Sequence, residues 1–283
     1  MGLFYFGVYM KQYLDIAEKC LAGTRKSNRT GIDTVGYMGD MAKYDLREGF
    51  PAVTSKKLAY RQIIAEMLGF IRGYTNAADF RKLGCKVWDA NANENKDWLN
   101  NPYRKGKDDL GAIYGAQARD FNGEDQLLSV YENLRKGIDT RREIVIHWNP
   151  AELDQMALPP CHLLYQFGID GEYLNMSLYQ RSVDVPLGLP YNIAGYAWLL
   201  SVMAQITGHK AGTLTHFMHD IHVYENQIEQ LQVQLSRPTY RLPQLIINKD
   251  IKTLSDLETW VTPDDFTLAN YVHEPALSYP FAV

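Results

Sequence analysis

Cys161 stands in the run Leu158-Pro159-Pro160-Cys161-His162, where a stiff loop leads into an extended segment. A thiol at such a corner can act as a nucleophile if cationic neighbours favour its thiolate. Otherwise it is a small buried apolar side chain. Cys20 and Cys85 have no comparable surroundings and read as structural thiols. Further along, Gln180-Arg181-Ser182-Val183-Asp184 combines a planar guanidinium, a hydroxyl and a carboxylate before Pro186-Leu187-Gly188-Leu189-Pro190. Arg181 and Ser182 suit phosphate oxygens, because the guanidinium fork matches them and a hydroxyl adds one more donor.

Three other arginines fit the same purpose. Arg29 lies in Asn28-Arg29-Thr30-Gly31, and Arg141 and Arg142 close Asp139-Thr140-Arg141-Arg142. Each alone reads as a solvated surface charge. With Arg181 they would hold a doubly negative phosphate without a glycine-rich loop, and the chain carries no Walker or dinucleotide fingerprint. Asn192, in Leu189-Pro190-Tyr191-Asn192, is either an amide that reads a heterocycle edge or the N-cap of the apolar helix after it. His222 and Tyr224 would point to one side of an extended chain, as a ligand-binding pair or as satisfied structural groups. Glu66 is an acid isolated among Ile63, Ile64, Met67 and Ile71, where burial would raise its pKa towards that of a proton relay. Trp88 offers an aromatic plane beside a polar stretch, or a core side chain.

The elements that must position these groups follow from periodicity. Helical spacing covers 11–22, 60–73 and 77–83, and a further helix fits 125–136. Strands are expected at 36–46, 143–148, 162–169 and 173–180, the last two joined by an Asp170-Gly171 turn. Residues 194–207 are nearly all apolar and predict a helix buried on every side, and another helix is expected from 220 to 235. Residues 89–110 are polar and read as a long surface insertion. Helices and antiparallel strands without regular βαβ alternation give an α+β class: a single domain, with a mixed or antiparallel sheet against the long buried helix.

Composition narrows the function. The chain has 283 residues, 46% of them apolar and 12% aromatic, enough for a full core. With 29 basic and 33 acidic side chains the formal charge is −4, which suits neither a general nucleic-acid binder nor a polybasic membrane anchor. Three widely spaced cysteines make neither a disulfide framework nor a zinc site and point to a reducing, cytoplasmic setting without a metal. Residues 1–10 are apolar and aromatic but lack the basic start and cleavage site of a secretory signal, so they read as an N-terminal extension to a domain spanning 11–283. No run approaches the length of a transmembrane helix.

Taken in order, Pro160-Cys161-His162, Tyr179-Gln180-Arg181-Ser182 with Asp184, Leu187-Gly188-Leu189-Pro190-Tyr191-Asn192 and His222-Val223-Tyr224 resemble the active-site segments of the thymidylate synthase family. The resemblance runs from about Lys11 to Val283. It implies reductive methylation of dUMP at C5 to dTMP, with 5,10-methylenetetrahydrofolate giving both the carbon and the hydride. Cys161 would add to C6, Arg181 would favour the thiolate and hold phosphate, and Glu66 and Tyr114 would move protons. Arg29, Arg181 and Ser182 match phosphate ligands. Arg141 and Arg142 match a pair that reaches across from a second subunit, which makes the sheet a homodimer interface. Asn192 matches the uracil-reading amide, His222 and Tyr224 the sugar ligands, and His162 and Gln180 accompany them in the nucleotide site. Asp184, Val87, Trp88, Leu158, Leu187, Gly188 and Tyr191 match the folate pocket, and Ala282 belongs to a closing tail.

Some positions depart from patterns common in that family. Gly69 and Ala118 stand where many members have Trp, Ala59 where His is frequent, Val183 where Cys is common, and Asn91 where many bacterial members have Trp. These bear on packing and folate contacts. Two other readings share the scaffold: a deoxyuridylate hydroxymethylase, in which water replaces hydride, and a non-catalytic nucleotide-binding protein. Asn192 and the tail favour methylation, and retention of Cys161, Glu66 and Tyr114 together favours catalysis.

Overall fold

The computed structural model describes residues 9–28 and 31–280. Helix α1 (Lys11–Leu21) buries Tyr13, Ile16, Ala17 and Cys20 on one face, the stripe expected of an amphipathic surface helix. Met10, just before it, is itself buried. Strands β1 (Thr24–Lys26) and β2 (Thr34–Asp45) follow, then α2 (Tyr60–Ile71) and α3 (Ala77–Lys82), the latter capped by the Asn76 side chain on the amide of Ala78.

The polar stretch 89–110 is more ordered than a surface insertion. It contains α4 (Asp89–Asn93) and α5 (Lys96–Leu99), and Trp98 is buried with its indole N–H donated to the Asp109 carbonyl at 2.7 Å. Arg81 ties the segment back to α3 through Asp89 and Asp108. One well-anchored indole outweighs a polar composition that periodicity cannot interpret.

Next come α6 (Tyr114–Arg119), α7 (Gln126–Arg135), β3 (Ile144–Ile146), β4 (His162–Asp170) and β5 (Tyr173–Asp184), the last running four residues beyond its expected end. Helix α8 (Gly188–Thr207) starts six residues earlier than the apolar run suggested. Pro190 fits there because an amide in the first turn has no intrahelical acceptor to lose. The helix ends at Gly208, whose φ of 81° provides the left-handed cap. Strand β6 (Lys210–Tyr224) occupies residues expected to begin a helix; α9 (Ile228–Leu235) starts only after a 3₁₀ turn. Strands β7 (Gln244–Ile247) and β8 (Phe266–Ala269), with α10 (Leu254–Thr259) between them, complete the chain.

The main sheet has the order β1-β2-β6-β5-β4-β3, antiparallel throughout except for the parallel β5–β6 pair. That pair is joined by α8, which is buried on all sides between the sheet and α2. The class is therefore α+β with a mixed six-stranded sheet. Among the described residues no helix is long and apolar enough to cross a membrane.

Gly69 has a visible reason to be small: a Cβ there would overlap the Phe80 ring, which packs edge-on to Phe70 and Tyr74. Phe80 from α3 fills the volume that a large side chain at 69 would need. Gly69→Ala is expected to destabilise the fold by about 1–3 kcal/mol through overpacking, read as a lower denaturant midpoint at unchanged m-value. An equal or higher midpoint would mean that Phe80 can move aside.

Candidate functional site

A cavity of ≈ 1290 Å³ opens where β5, β6 and the start of α8 meet α2 and the 89–110 segment. Its size exceeds that of an ordinary small-ligand pocket and suits two ligands side by side. Its lining includes the polar Arg181, Ser182, Asn192, His222 and Tyr224 together with Val87, Trp88, Leu158, Leu187 and Tyr191. Cys161 and Glu66 also line it.

Cys161 is a partly exposed thiol immediately before β4. Its backbone N–H donates to the Tyr114 hydroxyl at 2.7 Å, and its carbonyl accepts the Arg181 amide at 2.8 Å. The Arg181 guanidinium donates from Nε to the Pro160 carbonyl at 2.8 Å and from Nη2 to the Pro159 carbonyl at 3.1 Å, and lies over the Trp148 ring. Arg181 thus fixes the loop that presents the thiol and brings a permanent positive charge to the cavity wall. Burial raises the Tyr114 phenol well above its usual pKa, so it remains a neutral hydroxyl.

Glu66 projects from α2 and is almost fully enclosed. Burial pushes its carboxyl up to about 8; the nearby Trp88 indole opposes this, although its N–H makes no bond of ordinary geometry. An acid that is neutral near pH 7 yet close to its titration point can both give and take a proton. Asp184, at the end of β5, accepts the Leu187 amide at 3.0 Å and pairs with His222 across β5–β6. Burial raises its pKa also.

The nucleotide-facing candidates are held by the sheet. His222 and Tyr224 are two residues apart on β6, face the same cavity and pack edge to face at 5.4 Å. His222 Nδ1 lies 3.0 Å from Asp220 Oδ1. Gln180 is oriented from both ends: His216 Nε2 donates to its carbonyl oxygen at 2.9 Å, and its amide donates to the Ser182 carbonyl at 2.9 Å. His162 stacks on Tyr114 at 4.5 Å and has Nδ1 2.9 Å from the Tyr196 hydroxyl. Asn192 lies inside α8 and is not its N-cap, a position taken by Leu187; it lines the cavity, with Gly188 beside its amide.

Not every expected residue meets there. Arg141 and Arg142 are exposed on the turn before edge strand β3 and do not line the cavity. That turn is firmly built, with Arg141 at φ 67°, its amide on Asp139, and the Thr140 and Arg142 amides on the buried Glu143. Arg29 and Ala282 lie outside the described residues. Among the described residues no cluster of three or more His, Cys, Asp or Glu side chains could hold a metal ion. Cys20 and Cys85 are buried, and burial raises each thiol to about 12.

Lys56 was not anticipated. It is buried on the cavity wall, donates to the Pro186 carbonyl and lies 4.5 Å from the Tyr279 ring centre; burial lowers its ammonium to about 8. Within Ser55-Lys56-Lys57 it reads as one of two surface lysines, and only tertiary packing separates them. Asn91 and Ala59 both line the cavity, so two of the unusual positions do face ligand space.

Three buried imidazoles make the fold sensitive to acid. Burial is the leading cause in lowering His147 to about 4, His216 to about 3, and His162 well below its usual value. Unfolded histidines take up protons below about pH 6.5 while these do not, so their contribution is complete above 6.5 and is lost as pH falls. Glu66 acts oppositely: its contribution is complete below 4.5 and is lost as pH rises to about 8. Between pH 6.5 and 4.5 the unfolded chain therefore binds about two more protons from these four groups, about 3 kcal/mol per pH unit. Urea midpoints at pH 6.5 and 5 check this; equal values would mean that the imidazoles are already charged in the fold.

The profile described as Thymidylate synthase matches residues 11–283. The thymidylate synthase of Shewanella halifaxensis (strain HAW-EB4) is 48% identical over 97% of this chain and its own full length. Those of Idiomarina loihiensis (strain ATCC BAA-735 / DSM 15497 / L2-TR) and Histophilus somni (strain 2336) are 47% and 48% identical with the same coverage.

Proposed function

Because the chain belongs to the thymidylate synthase family and is an enzyme of that kind, we propose that it converts dUMP to dTMP by reductive methylation, through covalent attack of Cys161 on C6 of uracil. The observation that carries this reading is the convergence of Cys161, Arg181, Tyr114, Glu66 and Asn192 on one cavity.

The nucleotide lies against the polar side chains of the lining. Arg181 and Ser182, with Arg29, bind its phosphate; His222 and Tyr224 donate to the deoxyribose hydroxyl; Asn192 pairs with O4 and N3 of uracil, its amide hydrogen-bonded to His162, and Gln180 lines the same site. Such a base-reading amide discriminates strongly, since a mismatched edge leaves buried polar groups unpaired. Cys161 attacks as thiolate beside the fixed charge of Arg181. Glu66 and Tyr114 transfer protons at O4 and C5, a task suited to a carboxyl poised near 8. 5,10-Methylenetetrahydrofolate supplies the carbon and the hydride and leaves as dihydrofolate. Its ring system packs against Val87, Trp88, Leu158, Leu187, Gly188 and Tyr191, with Asp184 as the polar contact. The described chain ends next to this site: Gln227 donates both to Asp184 and to the Pro280 carbonyl, and Ala282 is proposed as part of a closing tail. Closure there would exclude water before hydride transfer.

A homodimer completes the site in this reading. On the sheet face opposite buried Leu178 and Met218, Met41, Phe217, Tyr179, Leu164 and Ile146 fall in one register row across five strands. All but Leu164 are exposed large apolar side chains. A continuous apolar row on one sheet suits a second copy of the same sheet, which would deliver Arg141 and Arg142 to the partner's phosphate site.

The test is product analysis with dUMP and methylenetetrahydrofolate. Thymidylate and dihydrofolate in equal amounts are expected. Hydroxymethyl-dUMP with tetrahydrofolate would replace hydride by water as the final step, and nucleotide binding without product would remove catalysis from the reading.

A further inference from the structure

The geometry points to His147 as a positioning residue for Cys161, holding the bulge that follows the nucleophile. This deepens the reading above and rests on Cys161 being the nucleophile.

Strand β4 does not leave Cys161 in regular pairing. His162 is opposite Gln180 on β5, but Leu164 is opposite Tyr179, so Leu163 is an extra residue on β4. A bulge of this kind turns the chain locally and re-aims neighbouring side chains, and it must be held because its carbonyls leave the regular ladder. Five successive carbonyls from 159 to 163 are bound by only two residues. Arg181 takes Pro159 and Pro160 through its guanidinium and Cys161 through its amide. His147 takes the other two: its Nδ1 is 3.1 Å from the His162 carbonyl and its amide donates to the Leu163 carbonyl at 2.7 Å. The acceptor role of that carbonyl requires the proton on Nδ1.

The ring of His147 adds a second restraint. It packs edge to face on Tyr114 at 5.2 Å, and Tyr114 accepts the Cys161 N–H. It also packs on Tyr165 at 5.6 Å, and with Ala118 it lines a void of only ≈ 10 Å³. The imidazole is thus closely packed while it binds the backbone. His147 does not line the substrate cavity, so it acts through Cys161 and Tyr114 and not on a ligand.

Two substitutions separate the hydrogen bond from the packing. His147→Phe keeps an aromatic ring and removes the Nδ1 donor; His147→Asn removes the ring and places an amide nitrogen near the same point. The expected result is a 10- to 100-fold loss of kcat in His147→Phe with dUMP affinity within about twofold, and recovery to within about threefold of wild type in His147→Asn. The rate of Cys161 alkylation by iodoacetamide should change in the same order, a readout that does not require turnover. Undiminished kcat and alkylation in His147→Phe would overturn the proposal, as would an equal loss in His147→Asn, which assigns the effect to packing. If His147→Phe does not fold, His147→Ala removes the same donor and is compared with His147→Asn. Wild-type enzyme and Cys161→Ala run alongside: turnover in Cys161→Ala defeats the nucleophile assignment itself, whereas an inactive Cys161→Ala beside a fully active His147→Phe defeats only the role of His147.

Discussion

Cys161→Ala is expected to lower thymidylate formation by at least about four orders of magnitude while dUMP binding stays within a few-fold of wild type. On the proposed mechanism the loss is large because the thiolate's bond to C6 makes C5 nucleophilic, and no neighbouring group can replace it. Glu66 is a buried carboxyl raised to about 8, Tyr114 a neutral phenol, and Cys20 and Cys85 buried thiols raised to about 12. Binding survives because the polar contacts come from other elements: Arg181 and Ser182 from β5, Asn192 from α8, His222 and Tyr224 from β6. The substitution also leaves intact the backbone bonds from Cys161 to Tyr114 and Arg181, so the loop need not move. Single-turnover product formation and equilibrium dUMP titration measure the two quantities. Residual methylation within a hundredfold of wild type would remove Cys161 from the role of nucleophile. Loss of dUMP binding in proportion to turnover would instead make the thiol a binding contact.

What could be read from the sequence follows a physical boundary. Groups next to each other in the chain declared themselves: Pro160-Cys161-His162 and Gln180-Arg181-Ser182 announce chemistry because loop stiffness, charge and hydroxyl are local properties. The apolar run after Asn192 was legible as a buried helix for the same reason, but its start was not. Composition changes at 194, whereas helix geometry begins at Gly188, where a proline is tolerated in the first turn. The end of β6 was misread because Asp220 to Tyr224 has alternating polarity that also fits a helix start, and only pairing with β2 and β5 fixes it as strand. Lys56 and His147 were invisible altogether. A lysine among lysines and a histidine just after a short strand carry no periodic signal; their roles come from carbonyls of Pro186 and His162 that fold against them from later in the chain. The Arg141-Arg142 pair is the opposite case, prominent in sequence, yet neither side chain lines the cavity of its own chain.

That placement leads to a second large effect. Arg142→Glu is expected to inactivate the enzyme, since a carboxylate would meet the dUMP phosphate where a guanidinium should bind it. In a site wholly contained in one chain, mixing this variant with Cys161→Ala would restore nothing, because every site would keep one defect. In a site shared across a twofold axis, the defects redistribute. A heterodimer then has one site with the sound Cys161 of the Arg142→Glu chain and the sound Arg142 of the Cys161→Ala chain, and a second site with both defects. Random exchange of equal amounts makes about half the dimers mixed, each with one working site of two, so about a quarter of wild-type activity should return. The exposed apolar row from Met41 to Ile146 supports tight pairing, so exchange should be driven by mild denaturation and refolding, or by coexpression with two tags. Activity near half of wild type per dimer in the doubly tagged fraction, against nearly none in either parent, would assign the arginines to the opposite subunit. An inactive, doubly tagged heterodimer would place Arg142 in a structural role on its own turn, where its amide already binds Glu143.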